Sequence, residues 1–397
     1  MTKNTNKFAL YLLMFNTFIA MGGIGLVVPV MPAYLETFGV GGTVLGFLIA
    51  TFAFGQFLFS PIAGDLSDRK GRKQFIVVGL LIFSAAQLLF GVSSHVALLF
   101  VARFFSGMGS AFIIAPIMAF VADITTYEDR GRGMGLIGAS TSLGFMLGPA
   151  FGGFLSRIDI HVPFYCAAIA ALLAAIFSAI YLPNVKPSAT MVKPPRESII
   201  KQLMRSTKTS YFIFLIVVFT FSFGIANFQG TMAIYFDEKL GYSPTEIAII
   251  LTVGGFFGVV LQMFIIEGLF KRYGEMRVIL VNLLVASATM LAMIFLHRFF
   301  MVVFISTVFS AATTFIRPAV NTLISKLAAD EQGYAAGMNN AYLSLGNMIG
   351  PALAGILFDW NMDSPYIFGT FILLACFVLA YVWVKGSAPQ LMHAEQK

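Results

Sequence analysis

Charge is scarce in this chain. Asp, Glu, Lys and Arg make up 11% of its 397 residues, against about a quarter in a soluble domain, which excludes an ordinary water-facing globule. Only two cysteines occur, Cys166 and Cys376, both inside apolar runs; that excludes a disulfide scaffold and offers no Cys/His metal spacing. The four histidines, His95, His161, His297 and His393, stand at the ends of apolar runs or in the tail. No G-x-x-x-x-G-K-[ST] loop is present to hold ATP phosphates. A membrane-embedded enzyme therefore lacks a cluster of reactive groups, and no cofactor is expected. A channel lacks its ring of like charges. Acids are missing from one place in particular: none of the eighteen falls in the middle of an apolar run.

What is abundant is apolar. Hydrophobic residues reach 58%, with 43 phenylalanines and 37 glycines. Runs of roughly 20 apolar residues, the length a bilayer-crossing helix needs, recur twelve times: near 8–30, 44–66, 74–94, 97–122, 133–155, 162–182, 210–235, 245–268, 277–296, 299–325, 334–358 and 364–385. Lys3 and Lys7 before the first run read as the flank of an uncleaved span. With both termini cytoplasmic, inner loops and tails hold 20 of the 25 Lys and Arg; Arg157, Lys239 and Arg298 are external, and Arg103 and Arg317 lie within spans. That bias sets the orientation and accounts for the net charge of +7 without a nucleic-acid partner.

The chain repeats itself. SLGFMLGPAFGGFL at 142–155 matches SLGNMIGPALAGIL at 344–357 in nine of fourteen positions, at an offset of 202 that also pairs Gly135 with Gly337 and Pro116 with Pro318. The expected fold is an all-α membrane protein of twelve transmembrane helices in two pseudo-symmetric six-helix bundles. The bundles are placed at residues 1–182 and 210–397, joined by a basic cytoplasmic linker at 183–209. Within the linker, RESIIKQLMR has the pattern of a short amphipathic helix on the membrane surface, and a solvated linker fits equally well. Internal repeats of this kind belong to transporters that rock around a central site.

Four stretches carry finer information. GDLSDRKGRK, Gly64 to Lys73, follows span two. Asp68 sits there near a helix C-terminus, where the macrodipole disfavours an anion, so it needs a compensating cation or helix N-terminus. Gly64 allows close helix approach, Gly71 a tight turn, and Arg69, Arg72 and Lys73 anchor the inner face. RFFSGMGSA starts at Arg103, GFMLGPAFGG covers Gly144 to Gly153, and GIGLVVPVMPAYL ends span one. Gly144, Gly148 and Gly152 recur every four residues on one helix face, beside Pro149. Small residues in that pattern let helices meet backbone to backbone.

By these motifs the chain resembles the major facilitator superfamily, and within it the twelve-span drug/proton antiporters of the Bmr and NorA kind. The resemblance implies a multidrug exporter of the cell membrane working by alternating access, with protons as coupling ion, membrane lipids around it and a monomeric state. It places Phe52, Gln56, Ser142, Phe145 and Asn347 in a drug cavity. It makes Asp68, with Asp123 and Arg132 nearby, the brace of an inner gate, and gives the Gly144–Gly152 face a part in gating. The acids that couple protons in those exporters fall at Gln229 and Thr314 here, so both are missing. Candidate proton carriers are then Glu36, Asp123 and Glu267 at helix ends, or a relay beside Arg103.

Arg317 stands in TTFIRPAVNT, nine residues or about 13 Å of helix before Lys326, beyond comfortable snorkelling. Such a charge faces a wet cavity or a partner, or caps carbonyls near Pro318. Arg103 and Arg317 without core acids give a site a positive field, favouring neutral, zwitterionic or anionic compounds over cations. An exporter of one anionic or glycolipid-like metabolite is the alternative.

Overall fold

The computed structural model describes residues 3–125, 130–184, 199–209, 211–327 and 332–395. They fold into fifteen helices, with no strand among the described residues. Twelve of the helices are long and apolar enough to cross a membrane. Two compact units form, one from Met1–Met191 with Ala233–Thr252, the other from Val192–Met232 with Val253–Lys397.

The first unit contains α1 (Lys3–Val27), α2 (Met31–Glu36), α3 (Gly42–Lys70), α4 (Arg72–Val92), α5 (Val96–Ile124), α6 (Arg130–Leu155) and α7 (Val162–Tyr181). α7 shows how these helices sort their faces. Ala167, Ala171, Ala174, Ala175 and Ser178 are buried, whereas Ile169, Leu172, Leu173, Ile176, Phe177 and Ile180 stand exposed. A small-residue face turned inward and a bulky apolar face turned outward is the arrangement of a helix packed by close contact and bathed in lipid. Leu13, Phe83, Ile113 and Phe120 fill the core between them. Asn16 of α1 donates through Nδ2 to Ser178 Oγ at 2.8 Å, so two buried polar groups satisfy each other.

The helix of the run expected at 8–30 ends three residues early, at a turn that holds Pro29. α1 stops at Val27, a turn follows, and α2 starts with Pro32 in its first turn; the sequence stays apolar throughout, so hydropathy does not show the break. α2 is pinned by Tyr34, which is fully buried and donates to the Phe90 carbonyl at 2.8 Å. Its ring meets those of Phe38, Phe90, His161 and Phe164. Burial, with a smaller contribution from Tyr165, pushes this phenol up to about 12, so it remains a donor.

The remaining helices are α8 (Ile199–Ser206), α9 (Phe212–Glu238), α10 (Pro244–Phe264), α11 (Ile266–Tyr273), α12 (Glu275–Met293), α13 (Phe299–Leu327), α14 (Gln332–Trp360) and α15 (Ser364–Glu395). The ends of α9 and α10 joined by their short loop fall in the first unit. The run at 245–268 divides at Ile265, between α10 and α11. α8 lies in the linker segment and docks on α14. Tyr334 donates its hydroxyl to the Gln202 carbonyl at 2.6 Å, Ser206 and Tyr342 hydroxyls are 3.0 Å apart, and Arg205 stacks over the Tyr334 ring.

Candidate transport site and its supporting contacts

Glycines set the closest approaches in the first unit. α6 lies against α1 through Gly144, Gly148 and Gly152. A Cβ on Gly144 would come 2.8 Å from Gly22 N, one on Gly148 2.6 Å from Gly22 O, and one on Gly152 would overlap the Leu26 carbonyl. Pro149 completes the seam, its Cδ 3.1 Å from where a Gly25 Cβ would be. In the second unit α14 repeats this on α9. Gly346 meets Phe219 O and Phe223 N, Gly350 meets Phe223 O, and Pro351 packs on Gly230. The seam is thus a contact inside each unit, made by backbone on backbone. Gly64 behaves differently from the expectation: a Cβ there would meet nothing within 4 Å, so no close helix approach depends on it in this structure.

The loop between α3 and α4 turns at Gly71, whose φ of +104° suits only glycine without strain. Directly after it Arg72, largely buried, reaches two helices. Its guanidinium pairs with Asp68 of α3, donates through Nε to Asp123 Oδ2 of α5 at 3.0 Å, and bonds Ser67 Oγ at 3.0 Å. The compensation Asp68 requires at its helix end comes from Arg72. Arg69 instead pairs with Asp65 at 3.1 Å on the exposed side. Arg132 is exposed at the start of α6, and among the described residues no ion pair joins it to this cluster.

The second unit holds a counterpart that motif reading missed. Gly274 turns at φ +76°, Glu275 follows it at the start of α12, and Lys326 at the end of α13 donates to Glu275 Oε1 at 2.8 Å. Arg72–Asp123 and Glu275–Lys326 both span 51 residues, at an offset of 203. The charges are exchanged. The signal was the spacing and the preceding glycine, hidden because the residue types are reversed.

Arg103 is 7% exposed. Its guanidinium lies 4.7 Å over the Phe90 ring and 3.1 Å from Met31 Sδ, while Nε has no hydrogen-bond partner. Carried on α5, it is held between α4 and α2 and presents almost no surface. The other expected site residues are spread over both units. In the first, Gln56 is half-buried and donates to Ser110 Oγ at 3.0 Å; Phe52 and Ser142 are half-buried and Phe145 exposed. In the second, Gln229, Arg317 and Asn347 are exposed and Thr314 half-buried. Among the described residues no hydrogen bond joins any two of these nine. Phe228 and Phe315, chain neighbours of Gln229 and Thr314, belong to the core, Phe228 meeting Phe309 in a tilted ring contact at 4.2 Å. The side chain of Glu267 lies outside the described residues.

Twelve spans in two units carrying the same glycine seam, with an ion-paired α3–α4 turn, define a two-bundle membrane transporter fold. The chain belongs to the Major Facilitator Superfamily, whose sequence profile matches residues 13–228 and 214–396. It is 37% identical over 384 residues to multidrug resistance protein 2 of Bacillus subtilis, covering 96% of each chain. It is 33% identical over 376 residues to the quinolone resistance protein NorA of Staphylococcus aureus, covering 94% of this chain and 96% of that one. Among solved structures, the bacterial homologue of the human lysosomal transporter Spinster, inward-facing and unoccupied, superposes with a TM-score of 0.76 at 16% identity over 96% of each chain. The nucleoside transporter NupG gives 0.77 at 14% identity, over 95% of this chain and 99% of that one. These two establish likeness of fold.

Proposed function

We propose that this protein is a multidrug exporter of the cell membrane, with both termini cytoplasmic, moving amphipathic compounds by alternating access without chemical turnover. The observation that carries the reading is the full-length likeness to relatives named for multidrug and quinolone resistance. The bundles are assigned to residues 1–182 and 210–397. The drug site draws on Phe52, Gln56, Ser142, Phe145, Gln229, Thr314, Arg317 and Asn347, with Arg103 as a support for the outer end of α5. The Asp68–Arg72–Asp123 cluster acts in gating, with Arg132 close to it in sequence. The α6 glycines keep α1 and α6 moving as one piece. The test is susceptibility and dye-accumulation profiling of cells with and without the protein. Resistance to several unrelated amphiphiles is expected; unchanged susceptibility throughout overturns the reading.

Protons are the proposed coupling ion, although no carboxylate of the described residues lies in mid-span. Carboxylates at helix ends must then carry them: Asp123 on α5, Glu36 at the end of α2, and Asp237, which Glu36 faces closely enough to interact with electrostatically. Carriers at the ends of spans couple less tightly to the site than carriers within it. Transport into inverted vesicles should therefore depend less steeply on an imposed pH gradient than in relatives with mid-span acids. Full collapse on adding a protonophore at clamped voltage contradicts this.

A second reading, export of one anionic metabolite, is favoured by a single feature, the exposed Arg317.

A further inference from the structure

α8 has no part in the transport site or in the α3–α4 cluster, yet it is docked and two-faced. Toward α14 it offers the Gln202 carbonyl and Ser206, which meet the Tyr334 and Tyr342 hydroxyls at 2.6 and 3.0 Å; Ser206 is fully buried. At about 100° per residue, Lys201 and Met204 lie on the side away from Ser206. Lys208 stands in the turn that continues the helix, its N–H donating to the Arg205 carbonyl at 3.1 Å. Arg205 sits at the edge between the two faces, stacked over Tyr334. Lys201, Met204, Arg205 and Lys208 are all exposed, Met204 by 68%. No acid occurs from Ile199 to Thr209. Among the described residues no ion pair or hydrogen bond engages the Lys201 or Lys208 side chain.

The chain holds this face at a membrane boundary. Five residues, 207–211, separate α8 from the span that begins at Phe212, and Tyr334 stands three residues before the span that begins at Gly337. The Phe212 and Tyr342 rings meet at 6.5 Å, so α8 closes the end of the same α9–α14 pair that Gly346 and Gly350 join. In the orientation proposed above this boundary is cytoplasmic, where anionic headgroups give the membrane surface a negative potential.

Orienting the chain in the membrane requires basic residues on this side, but neither a docked helix nor a methionine set among its lysines. A lysine is a compact point charge with three donors, suited to a phosphate. Lysine stems and a methionine side chain are apolar, suited to the acyl boundary just below. Lys201 and Lys208 are two turns, about 10 Å, apart, so each reaches a phosphate of its own.

We propose that the outward face of α8 is a docking surface for anionic phospholipid, with Lys201 and Lys208 each taking a headgroup phosphate and Met204 resting on the acyl boundary between them. Bound lipid holds α8 against α14 and thereby clamps the end of the α9–α14 seam. The surface is independent of which compounds are exported.

The test titrates the full-length protein in neutral detergent with phosphatidylglycerol, with phosphatidylcholine and with inorganic phosphate. Bound lipid is counted by native mass spectrometry, and melting temperature is followed. The variants are Lys201→Gln with Lys208→Gln, Lys201→Arg with Lys208→Arg, and Lys7→Gln, which removes an exposed cation at the start of α1. In wild type phosphatidylglycerol should bind about 30-fold more tightly than phosphatidylcholine, roughly fivefold for each of two cations facing an anionic surface, and should raise the melting temperature. The double glutamine variant should bring the ratio close to one and lose the thermal shift. The double arginine variant should keep most of both, and Lys7→Gln should change neither. Equal binding of the two lipids in wild type, an unchanged ratio in the double glutamine variant, or an equal loss in Lys7→Gln overturns the site. A lower melting temperature of the lipid-free double glutamine variant also overturns it, since the lysines would then hold the fold rather than a lipid. If inorganic phosphate gives the same thermal shift and the lipid adds nothing to it, the surface takes free phosphate and the lipid assignment falls.

Discussion

Gly152→Ala will separate α6 from α1 and leave little folded protein. The added Cβ overlaps the Leu26 carbonyl oxygen and stands 2.8 Å from its carbonyl carbon and 3.1 Å from its Cα. All three atoms are backbone, so no rotamer change can relieve the clash, and one helix must move. Overpacking a core by a methyl group costs about 1–3 kcal/mol where side chains can give way. With backbone on both sides the loss should reach about 3 kcal/mol or more. Gly148→Ala should be nearly as severe, since its Cβ would lie 2.6 Å from Gly22 O. The comparison is Gly138→Ala on the same helix, where a Cβ meets nothing within 4 Å; alanine there gains up to about 1 kcal/mol of helix propensity. Melting temperatures in detergent decide the matter. Equal temperatures for Gly152→Ala and Gly138→Ala would show that the seam is not a close contact in the folded protein.

That seam also shows what the sequence can and cannot disclose. Spacing by four made the face of Gly144, Gly148 and Gly152 readable, because a helix brings such positions together. The partner was not readable: nothing in 142–155 says that Gly22 and Leu26 lie across from it. The spans were legible because a helix in lipid needs a long apolar run. The same rule hid the breaks at Val28–Val30 and Ile265, where apolar side chains continue through a turn. Tyr34, Phe228 and Phe315 look alike in composition, yet all three fill cores. Only the packing of neighbouring helices separates them from exposed aromatics such as Phe145. Arg317 and Arg103 were equally conspicuous in the sequence. The structure gives them different settings, one exposed and one held over the Phe90 ring.

Arg72→Ala should damage the protein more than Lys326→Ala, although each is the cation of the corresponding ion pair in its unit. A helix carries partial positive charge at its N-terminus and negative charge at its C-terminus. In the first unit Arg72 begins α4, while Asp68 and Asp123 lie in the last turns of α3 and α5. All three charges oppose their own dipoles and depend on one another for compensation, with Ser67 Oγ a further acceptor for Arg72. In the second unit Glu275 begins α12 and Lys326 closes α13, so each suits its helix by about 0.3–1 kcal/mol. Removing Lys326 leaves one carboxylate, Glu275, only 10% exposed but still favoured by its helix N-terminus, for a loss on the order of 1 kcal/mol. Removing Arg72 takes their shared cation from two carboxylates whose side chains are only 25% and 27% exposed. Breaking a fully buried pair costs about 3–5 kcal/mol; with this exposure the loss should be on the order of 2 kcal/mol. A cluster strained in this way separates more readily than its counterpart, which is what a gate requires and a permanent staple does not. Asp68→Asn, which keeps shape and removes the charge, should therefore lower efflux by about tenfold, or ~1.4 kcal/mol in the rate-limiting barrier, with expression and drug binding largely retained. Glu275→Gln should change efflux far less. Efflux rates and melting temperatures of the four single variants test the asymmetry. Equal losses at the two sites, or unchanged efflux in Asp68→Asn, would make the α3–α4 cluster a staple like the other.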